Sequence, residues 1–148
     1  MHTQRLSRRG FLAASAAARV YGANDRIRLG VIGTGGRGQY LMKELAKIGG
    51  VEFVAVCDVY DVRADRAAEL AQTPVKKYGD HRRVLDHKDI DAVIVATPDH
   101  WHGPITVDAA KAGKDVYVEK PMVHQPWDGM AIVRAVRENR RVLQVGTQ

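Results

Sequence analysis

The chain has 148 residues, of which 45% are hydrophobic and 27% are charged, enough for one globular domain and short for a two-domain enzyme. No apolar run approaches the roughly 20 residues that a membrane-spanning helix needs, and the single cysteine, Cys57, excludes an intrachain disulfide. Residues 1–25 contain four arginines and one aspartate, and so hold half of the net charge of +6, which leaves no basic surface that predicts a nucleic-acid partner.

Residues 1–25 resemble a twin-arginine export signal. The pair Arg8-Arg9 precedes Phe11 and Leu12, and an alanine-rich stretch with small-residue triplets follows. The weakly apolar stretch ends at Ala18, which makes it short for such a signal. We therefore predict a periplasmic or exported protein. The alternative is a cytoplasmic protein with a basic tail.

From Arg26 onward, apolar runs alternate with helical patterns, which predicts an α/β fold with a doubly wound parallel sheet. The predicted strands are a first run from Ile27 to Ile32, then Val51–Cys57, a segment near Val75–Tyr78, Ala92–Ala96, Asp115–Glu119 and Val142–Val145. The first predicted helix carries Leu41, Leu45 and Ile48 and stops at Gly49-Gly50. An alanine-rich helix capped by Asp61 and a brief helix capped by Asp80 follow. The last two predicted helices are one with Pro104 in its first turn, which ends near Gly113, and one from Trp127 to Asn139.

The first strand runs into a glycine turn with the order G-x-G-x-x-G. Gly33 permits a sharp turn, Gly35 lets the backbone approach a pyrophosphate, and Gly38 lets the following helix lie close to the sheet. The N–H groups of the first helical turn then face the phosphates. The turn predicts a dinucleotide site. A flexible glycine loop is the alternative.

Asp58 supports the dinucleotide interpretation. It stands twenty residues after Gly38, at the end of the second predicted strand. A carboxylate there accepts hydrogen bonds from the adenosine ribose hydroxyls and repels a 2′-phosphate. The sequence therefore predicts NAD as cofactor, with NADP less favoured. A loop acid is the alternative role for Asp58, although Asp61 is better placed as a helix cap.

Two further polar segments follow predicted strands, Thr97 to His102 and Glu119 to Pro121. Because the carboxyl ends of parallel strands meet at one edge of a sheet, we expect both segments to lie beside the glycine turn. The sequence suggests no metal site. Cys57 lies within an apolar strand, which predicts a buried and unreactive thiol.

Five segments together resemble the N-terminal domain of the glucose-fructose oxidoreductase, inositol dehydrogenase and rhizopine-catabolism family (Gfo/Idh/MocA). The matching segments are GVIGTGGRG at 30–38, CD at 57–58, ATPDHWH at 96–102, EKP at 119–121 and QVGTQ at 144–148. The resemblance covers residues 26–148. It implies a Rossmann domain that belongs to an NAD-dependent oxidoreductase acting on a sugar, cyclitol or related polyol.

The resemblance also implies roles for individual residues. Lys120 would lie beside the nicotinamide ribose and the reacting carbinol, as the catalytic residue, and Pro98 and His102 would line the nicotinamide side of the cleft. Glu119 and Pro121 would position the lysine. The full set of predicted cofactor contacts is Gly33, Thr34, Gly35, Gly36, Arg37, Gly38, Asp58, Thr97, Pro98, His102, Glu119, Lys120 and Pro121. Lys120 as a surface lysine, and His100, His102 and His124 as loop histidines, are the alternatives; Trp101 is either a lid or a packing residue.

The resemblance further implies a second domain, which in the family supplies the substrate pocket and a histidine or aspartate acid/base. We expect the 148-residue chain to be a cofactor half that is incomplete for turnover, so whether it is an enzyme by itself stays open. NAD-dependent glycoside cleavage through transient oxidation, which some relatives perform, and a non-catalytic nucleotide-binding module are the alternatives. A homo-oligomer is compatible with the sequence.

Overall fold

The computed structural model describes residues 26–147, which form a six-stranded, wholly parallel sheet. The strands are β1 (Ile27–Ile32), β2 (Val51–Cys57), β3 (Lys76–Tyr78), β4 (Ala92–Val95), β5 (Asp115–Val118) and β6 (Leu143–Val145). Their order across the sheet is β3-β2-β1-β4-β5-β6. This is the order of a doubly wound dinucleotide-binding domain, and it confirms the predicted fold class.

Helices connect the strands and cover the sheet. They are α1 (Gly36–Ile48), α2 (Asp61–Leu70), α3 (His81–Leu85), α4 (His102–Lys111) and α5 (Gly129–Glu138), with short 3-10 turns at Asp99–Trp101 and Pro126–Asp128. The chain winds outward from β1 to β3 and then returns to place β4 against the other side of β1. The switch in strand order therefore lies between β1 and β4, which is where ligands bind in such sheets.

The central strands are buried on both faces, as their unbroken apolar runs predict. Val31 and Ile32 are neighbours in β1, yet they belong to different core clusters because successive strand residues point to opposite faces. Val31 packs with residues of α1 and α2, whereas Ile32 packs with residues of α3 and α4. The two clusters hold the ends of β1, β2 and β4 in fixed positions at the carboxyl edge of the sheet.

Two local predictions were wrong. Asp61 does not cap α2; it is the first residue of the helix, and Tyr60 occupies the cap position without a side-chain hydrogen bond. Ile48, the last residue of α1, is 78% exposed. The last helix begins at Gly129, and Trp127 lies in the preceding 3-10 turn.

Asp80 caps α3 as predicted, since its side chain accepts a hydrogen bond from the N–H of Arg82. The hydrogen bonds from Arg82 hold the pKa of the Asp80 carboxyl below its ordinary value. Across residues 26–147, no helix combines the length and the apolar character needed to cross a bilayer. The predicted export signal lies outside the described residues.

Candidate nucleotide-binding site

Two of the three motif glycines are required by the fold itself. Gly33 has φ +87°, and a Cβ there would lie 2.5 Å from the backbone N of Thr97. A Cβ on Gly38 would collide with the carbonyl oxygen of Gly33. Any larger residue at either position would push the turn away from β4 or from α1.

Gly35 differs from the other two glycines. Its φ of −68° is open to any residue, and the nearest atom to a Cβ placed on it is Nη1 of Arg63, at 3.8 Å. The chain alone therefore gives no steric reason for a glycine here. A ligand that must approach this backbone closely does give one, and this is the role that the motif assigns to the second glycine.

Asp58 is fixed against the glycine turn. Its Oδ2 accepts the N–H of Thr34 at 2.9 Å and lies 3.3 Å from the Thr34 hydroxyl, while Oδ1 accepts the N–H of Tyr60 at 3.0 Å. The carboxylate is only 8% exposed, but a carboxylate offers about four lone-pair sites. Asp58 also lines the cavity described next, where ribose hydroxyls could donate to its remaining lone pairs.

A cavity of about 490 Å³ lies at the carboxyl edge of the sheet, over the switch in strand order. This volume is within the range of roughly 300–1,000 Å³ that small-molecule and cofactor sites occupy. Its walls include five of the predicted contacts, Gly33, Gly35, Asp58, Thr97 and Pro98. The geometry thus unites the glycine turn, the acid after β2 and the loop after β4 around one space.

The same cavity is lined by residues that sequence reasoning missed, Arg63, His81 and Arg82, and by Trp101, whose role was left open. Nη1 of Arg63 lies 3.8 Å from where a Cβ on Gly35 would stand, so its guanidinium would meet an anionic group that approaches this backbone. Its position on the first turns of α2, five residues after Asp58, is the signal that could have found it. Trp101 is half-exposed and forms part of the wall, with its ring near that of His81.

Thr97, which lines this cavity, carries an unsatisfied polar atom. Its hydroxyl oxygen is buried and has no hydrogen-bond partner among residues 26–147. Buried hydroxyls are rarely left without a partner in folded proteins. Together with the open Gly35 backbone and the free lone pairs of Asp58, this atom fits a polar ligand such as a dinucleotide.

Glu119 does not line the cavity but links the glycine turn to Lys120. Its carboxylate is 4% exposed, and Oε1 lies 2.7 Å from Nε of Arg37, while Oε2 accepts the N–H of Lys120 at 3.2 Å. The hydrogen bond to Glu119 raises the pKa of the Arg37 guanidinium. Arg37 and Glu119 thus act on the site by positioning other residues.

Lys120 and Pro121 follow β5 at the same sheet edge, and both are exposed. They lie outside the walls of the 490 Å³ cavity, as do Thr34, Gly36, Arg37, Gly38, His102 and Glu119. The ammonium group of Lys120 has no partner within the part of the chain that the structure describes. It is a free cation next to the loop that Arg37 and Glu119 hold.

His102 was expected to line the nicotinamide side of the cleft, but its ring is 2% exposed and points into the protein. Nδ1 lies 2.7 Å from the carbonyl oxygen of Pro121, and Nε2 lies 2.8 Å from that of Thr97. The ring therefore joins the loop after β4 to the loop after β5. A direct contact with the cofactor does not follow from this placement.

Cys57 lines the cavity wall but is chemically quiet. Burial, with smaller contributions from the charges of Asp58 and Asp80, raises the pKa of its thiol to about 12. The thiol is therefore protonated near neutral pH and is not a nucleophile. The position of the thiol confirms the prediction of a buried cysteine.

A larger hollow of about 580 Å³ lies at the opposite edge of the sheet, near the starts of β4 and β5. Lys114 forms part of its wall, and its ammonium group donates to the carbonyl oxygens of His87 and Ile90. Burial lowers the pKa of Lys114. Because this hollow lies away from the carboxyl ends of the strands, its size does not make it the ligand site.

The fold and the cavity define the chain as a dinucleotide-binding Rossmann domain. The model of the Gfo/Idh/MocA oxidoreductase family, described as an oxidoreductase family with an NAD-binding Rossmann fold, matches residues 27–147. The chain therefore belongs to this family, as its motifs predicted, and it is an NAD-binding domain.

Three relatives place the chain within the family. A glycosyl hydrolase family 109 protein of Stenotrophomonas maltophilia is 38% identical over 133 residues, covering 77% of this chain and 29% of the relative. Inositol 2-dehydrogenase of Salmonella typhimurium is 32% identical over 122 residues, covering 81% and 36%. The crystal structure of the WlbA dehydrogenase from Bordetella pertussis, in complex with NADH and UDP-GlcNAcA, has a TM-score of 0.75 and 28% identity, covering 81% and 36%. The chain thus spans about a third of the length of these relatives.

Proposed function

We propose that the cavity at the carboxyl edge of the sheet binds NAD, with the adenosine ribose on Asp58 and the pyrophosphate at Gly35 and the N-terminus of α1. The observation that carries this proposal is Gly35, a glycine that the fold does not need and a closely approaching ligand does. The N–H groups at the start of α1 and the guanidinium of Arg63 supply positive charge for the phosphates. Asp58 disfavours a 2′-phosphate, so NAD is preferred over NADP.

The reaction that this domain serves is hydride transfer between NAD and a carbinol carbon of a sugar, cyclitol or related polyol. Bound NAD supplies the hydride acceptor. Lys120 is the catalytic residue on this chain, since its free cation stabilises negative charge as it develops on the substrate oxygen. The names of the inositol 2-dehydrogenase and of the WlbA dehydrogenase support a hydroxylated substrate of this kind.

Fluorescence of NADH tests the nucleotide proposal on the 148-residue chain. We expect added NADH to gain a blue-shifted emission and to bind more tightly than NADPH. Arg134→Met, which changes an exposed arginine of α5 outside the cavity wall, should bind both nucleotides as the wild type does. Absent binding of NADH, or equal binding of both nucleotides, would contradict the proposal.

A second candidate function is glycoside cleavage through transient oxidation by a retained NAD, and the 38% identity to a glycosyl hydrolase family 109 protein favours it. In this case NAD stays bound through purification, and turnover leaves no net NADH. In the dehydrogenase case, NADH accumulates as the polyol is oxidised. Comparing product and NADH in the longest natural form of the protein separates the two.

We also propose that residues 1–25 direct the protein to the periplasm through the twin-arginine route. The support is the Arg8-Arg9 pair followed by Phe11 and Leu12. Cell fractionation should place the protein outside the cytoplasm, and Arg8→Lys with Arg9→Lys should retain it inside. Equal distribution of both forms would contradict export.

Sedimentation of the purified chain decides whether it forms the homo-oligomer that the sequence allows.

A further inference from the structure

Trp101 is a large aromatic residue that lines the 490 Å³ cavity and yet remains 48% exposed. Ile105, one helical turn further along the chain, is buried and lines the same cavity. A tryptophan that only fills a core is usually far more buried than this. An aromatic ring left open on a concave, partly apolar wall is typical of a small-molecule site.

Trp101 lies at the Asp58 end of the cavity, although it follows β4 in the chain. The N–H of Asp58 donates to the carbonyl oxygen of Tyr78 at 3.1 Å, so the end of β3 stands directly beside Asp58. His81 begins α3 just after this strand, and its ring centroid lies 6.4 Å from that of Trp101. In the proposed function Asp58 holds the adenosine ribose. The base attached to that ribose therefore lies on the Trp101 side of the cavity and away from Lys120.

Two histidine rings neighbour the indole of Trp101, and neither is stacked on it. The plane of the His81 ring is tilted by 53° from that of the indole, and the plane of the His100 ring by 48°, with centroids 6.2 Å apart. Nε2 of His81 also lies 3.1 Å from Oδ2 of Asp108, which joins α3 to α4 beside Trp101. The indole thus has fixed neighbours, but neither of these rings takes the place of a stacked base.

Polar side chains at this end of the cavity are already paired with each other. Nε of Arg82 donates to both carboxylate oxygens of Asp80, at 3.0 and 3.1 Å, and the ring of His81 contacts Asp108. Stacking on the indole is therefore the main interaction that these side chains leave for a base. Such stacking tolerates different bases, because every base has a π-face.

We propose that the adenine base of NAD stacks on the indole of Trp101, and that the site recognises the base by this stacking and not by side-chain hydrogen bonds to its edge. The inference rests on the proposed NAD function and deepens it. Trp101 then contacts the cofactor and does not merely pack the fold. A dinucleotide with another purine in place of adenine, such as nicotinamide hypoxanthine dinucleotide, binds about as well as NAD.

Tryptophan fluorescence of the 148-residue chain tests the stacking, because Trp101 and Trp127 are its two tryptophans. Trp127 is 72% exposed and lies outside the cavity wall, so Trp127→Phe leaves Trp101 as the single emitter. Excited at the red edge of the indole band, where adenine does not absorb, Trp101 should be quenched saturably by NAD and by ADP-ribose. In Trp101→Phe, the emission of Trp127 should not change. An unquenched Trp101 at NAD concentrations that displace NADH would overturn the inference and leave the proposed function standing.

Calorimetric dissociation constants for NAD, ADP-ribose and nicotinamide hypoxanthine dinucleotide form the second test. Leucine at position 101 keeps an apolar side chain but has no π-face, so we expect about tenfold weaker binding of all three ligands in Trp101→Leu. Trp101→Phe should recover part of this loss, because it restores an aromatic face. Trp127→Leu is the matched control and should bind as the wild type does.

Each other outcome of this test is decisive. Unchanged affinities in Trp101→Leu would overturn the inference while the proposed function stands. A loss for NAD without a loss for ADP-ribose would place Trp101 at the nicotinamide end and would also overturn it. A hypoxanthine dinucleotide that binds the wild type about tenfold more weakly than NAD would contradict recognition by stacking. A wild type that binds neither NAD nor ADP-ribose would overturn the proposed function and this inference together.

Discussion

Arg37 and Glu119 connect two parts of the site that are 82 positions apart in the chain, with Nε of Arg37 2.7 Å from Oε1 of Glu119. Arg37 belongs to the dinucleotide-binding turn, and Glu119 precedes Lys120. The carboxylate is buried, and its other oxygen accepts the N–H of Lys120. The pair therefore transmits the position of the glycine turn to the proposed catalytic lysine.

Breaking this pair should cost stability and loosen the lysine loop. In Arg37→Met, the buried Glu119 carboxylate loses its charged partner, and such a group is costly to leave uncompensated. We expect a lower midpoint of thermal unfolding for Arg37→Met than for Arg134→Met, and partial recovery when Glu119→Gln is added. Additive losses in the double variant would show that the two side chains are not coupled.

Gly35→Ala should fold normally and lose nucleotide binding. A Cβ at this position meets nothing closer than Nη1 of Arg63 at 3.8 Å, but it would occupy the surface that a pyrophosphate approaches. We expect at least about tenfold weaker NADH binding, or roughly 1.4 kcal/mol. Circular dichroism should show an unchanged melting curve.

Gly129→Ala is the matched control, since a Cβ at the start of α5 meets only Cε of Met122, at 3.9 Å. It should leave NADH binding at the wild-type level. Gly33→Ala should instead impair folding, because its Cβ would press on the backbone of Ala96 and Thr97. Full NADH affinity in Gly35→Ala would remove the main argument for the pyrophosphate position.

Asp58→Ser should erode the preference for NADH over NADPH. The carboxylate repels a 2′-phosphate and accepts hydrogen bonds from the ribose hydroxyls. A serine side chain is uncharged, so it does not repel the 2′-phosphate. The ratio of the two dissociation constants is the quantity to measure. Gly129→Ala, which lies outside the cavity wall, should leave this ratio unchanged. An unchanged ratio in Asp58→Ser would place the ribose elsewhere.

The pKa of Asp99 should lie below its ordinary value of 3.8, because the carboxylate accepts a hydrogen bond from the His124 ring. The backbone N–H of His100 also donates to this carboxylate and makes a smaller contribution. The pKa of Asp99 is lower in the folded state, so the pair stabilises the fold above about pH 3.8, and this contribution is lost as the pH falls through the folded-state titration. Carbon-13 NMR of the Asp99 carboxyl measures the midpoint. In His124→Ala, we expect it to rise towards 3.8; a midpoint that does not move would contradict the pairing.

Much of the fold and part of the site follow from sequence because the signals are local. Gly33 and Asp58 follow apolar strands at fixed spacing, and parallel strands bring their carboxyl ends to one edge. The placement of His102 was less accessible, because one of the two carbonyls that its ring contacts belongs to Pro121, 19 residues further along the chain. The position of Arg63, five residues after Asp58, could have suggested it, but its approach to Gly35 depends on how α2 lies against the turn. The Asp61 cap was assigned wrongly by one helical position.

The proposed function depends most on which edge of the sheet receives NAD. Titration of the nitrogen-15 labelled chain with NADH, followed residue by residue in proton–nitrogen NMR spectra, answers this directly. We predict saturable shifts at the amides of Gly33 to Gly38, Asp58 and Thr97, with weaker shifts at Lys120 and none around Lys114. Shifts centred on Lys114 and Asp115, at the larger hollow on the opposite edge, would contradict the site described above.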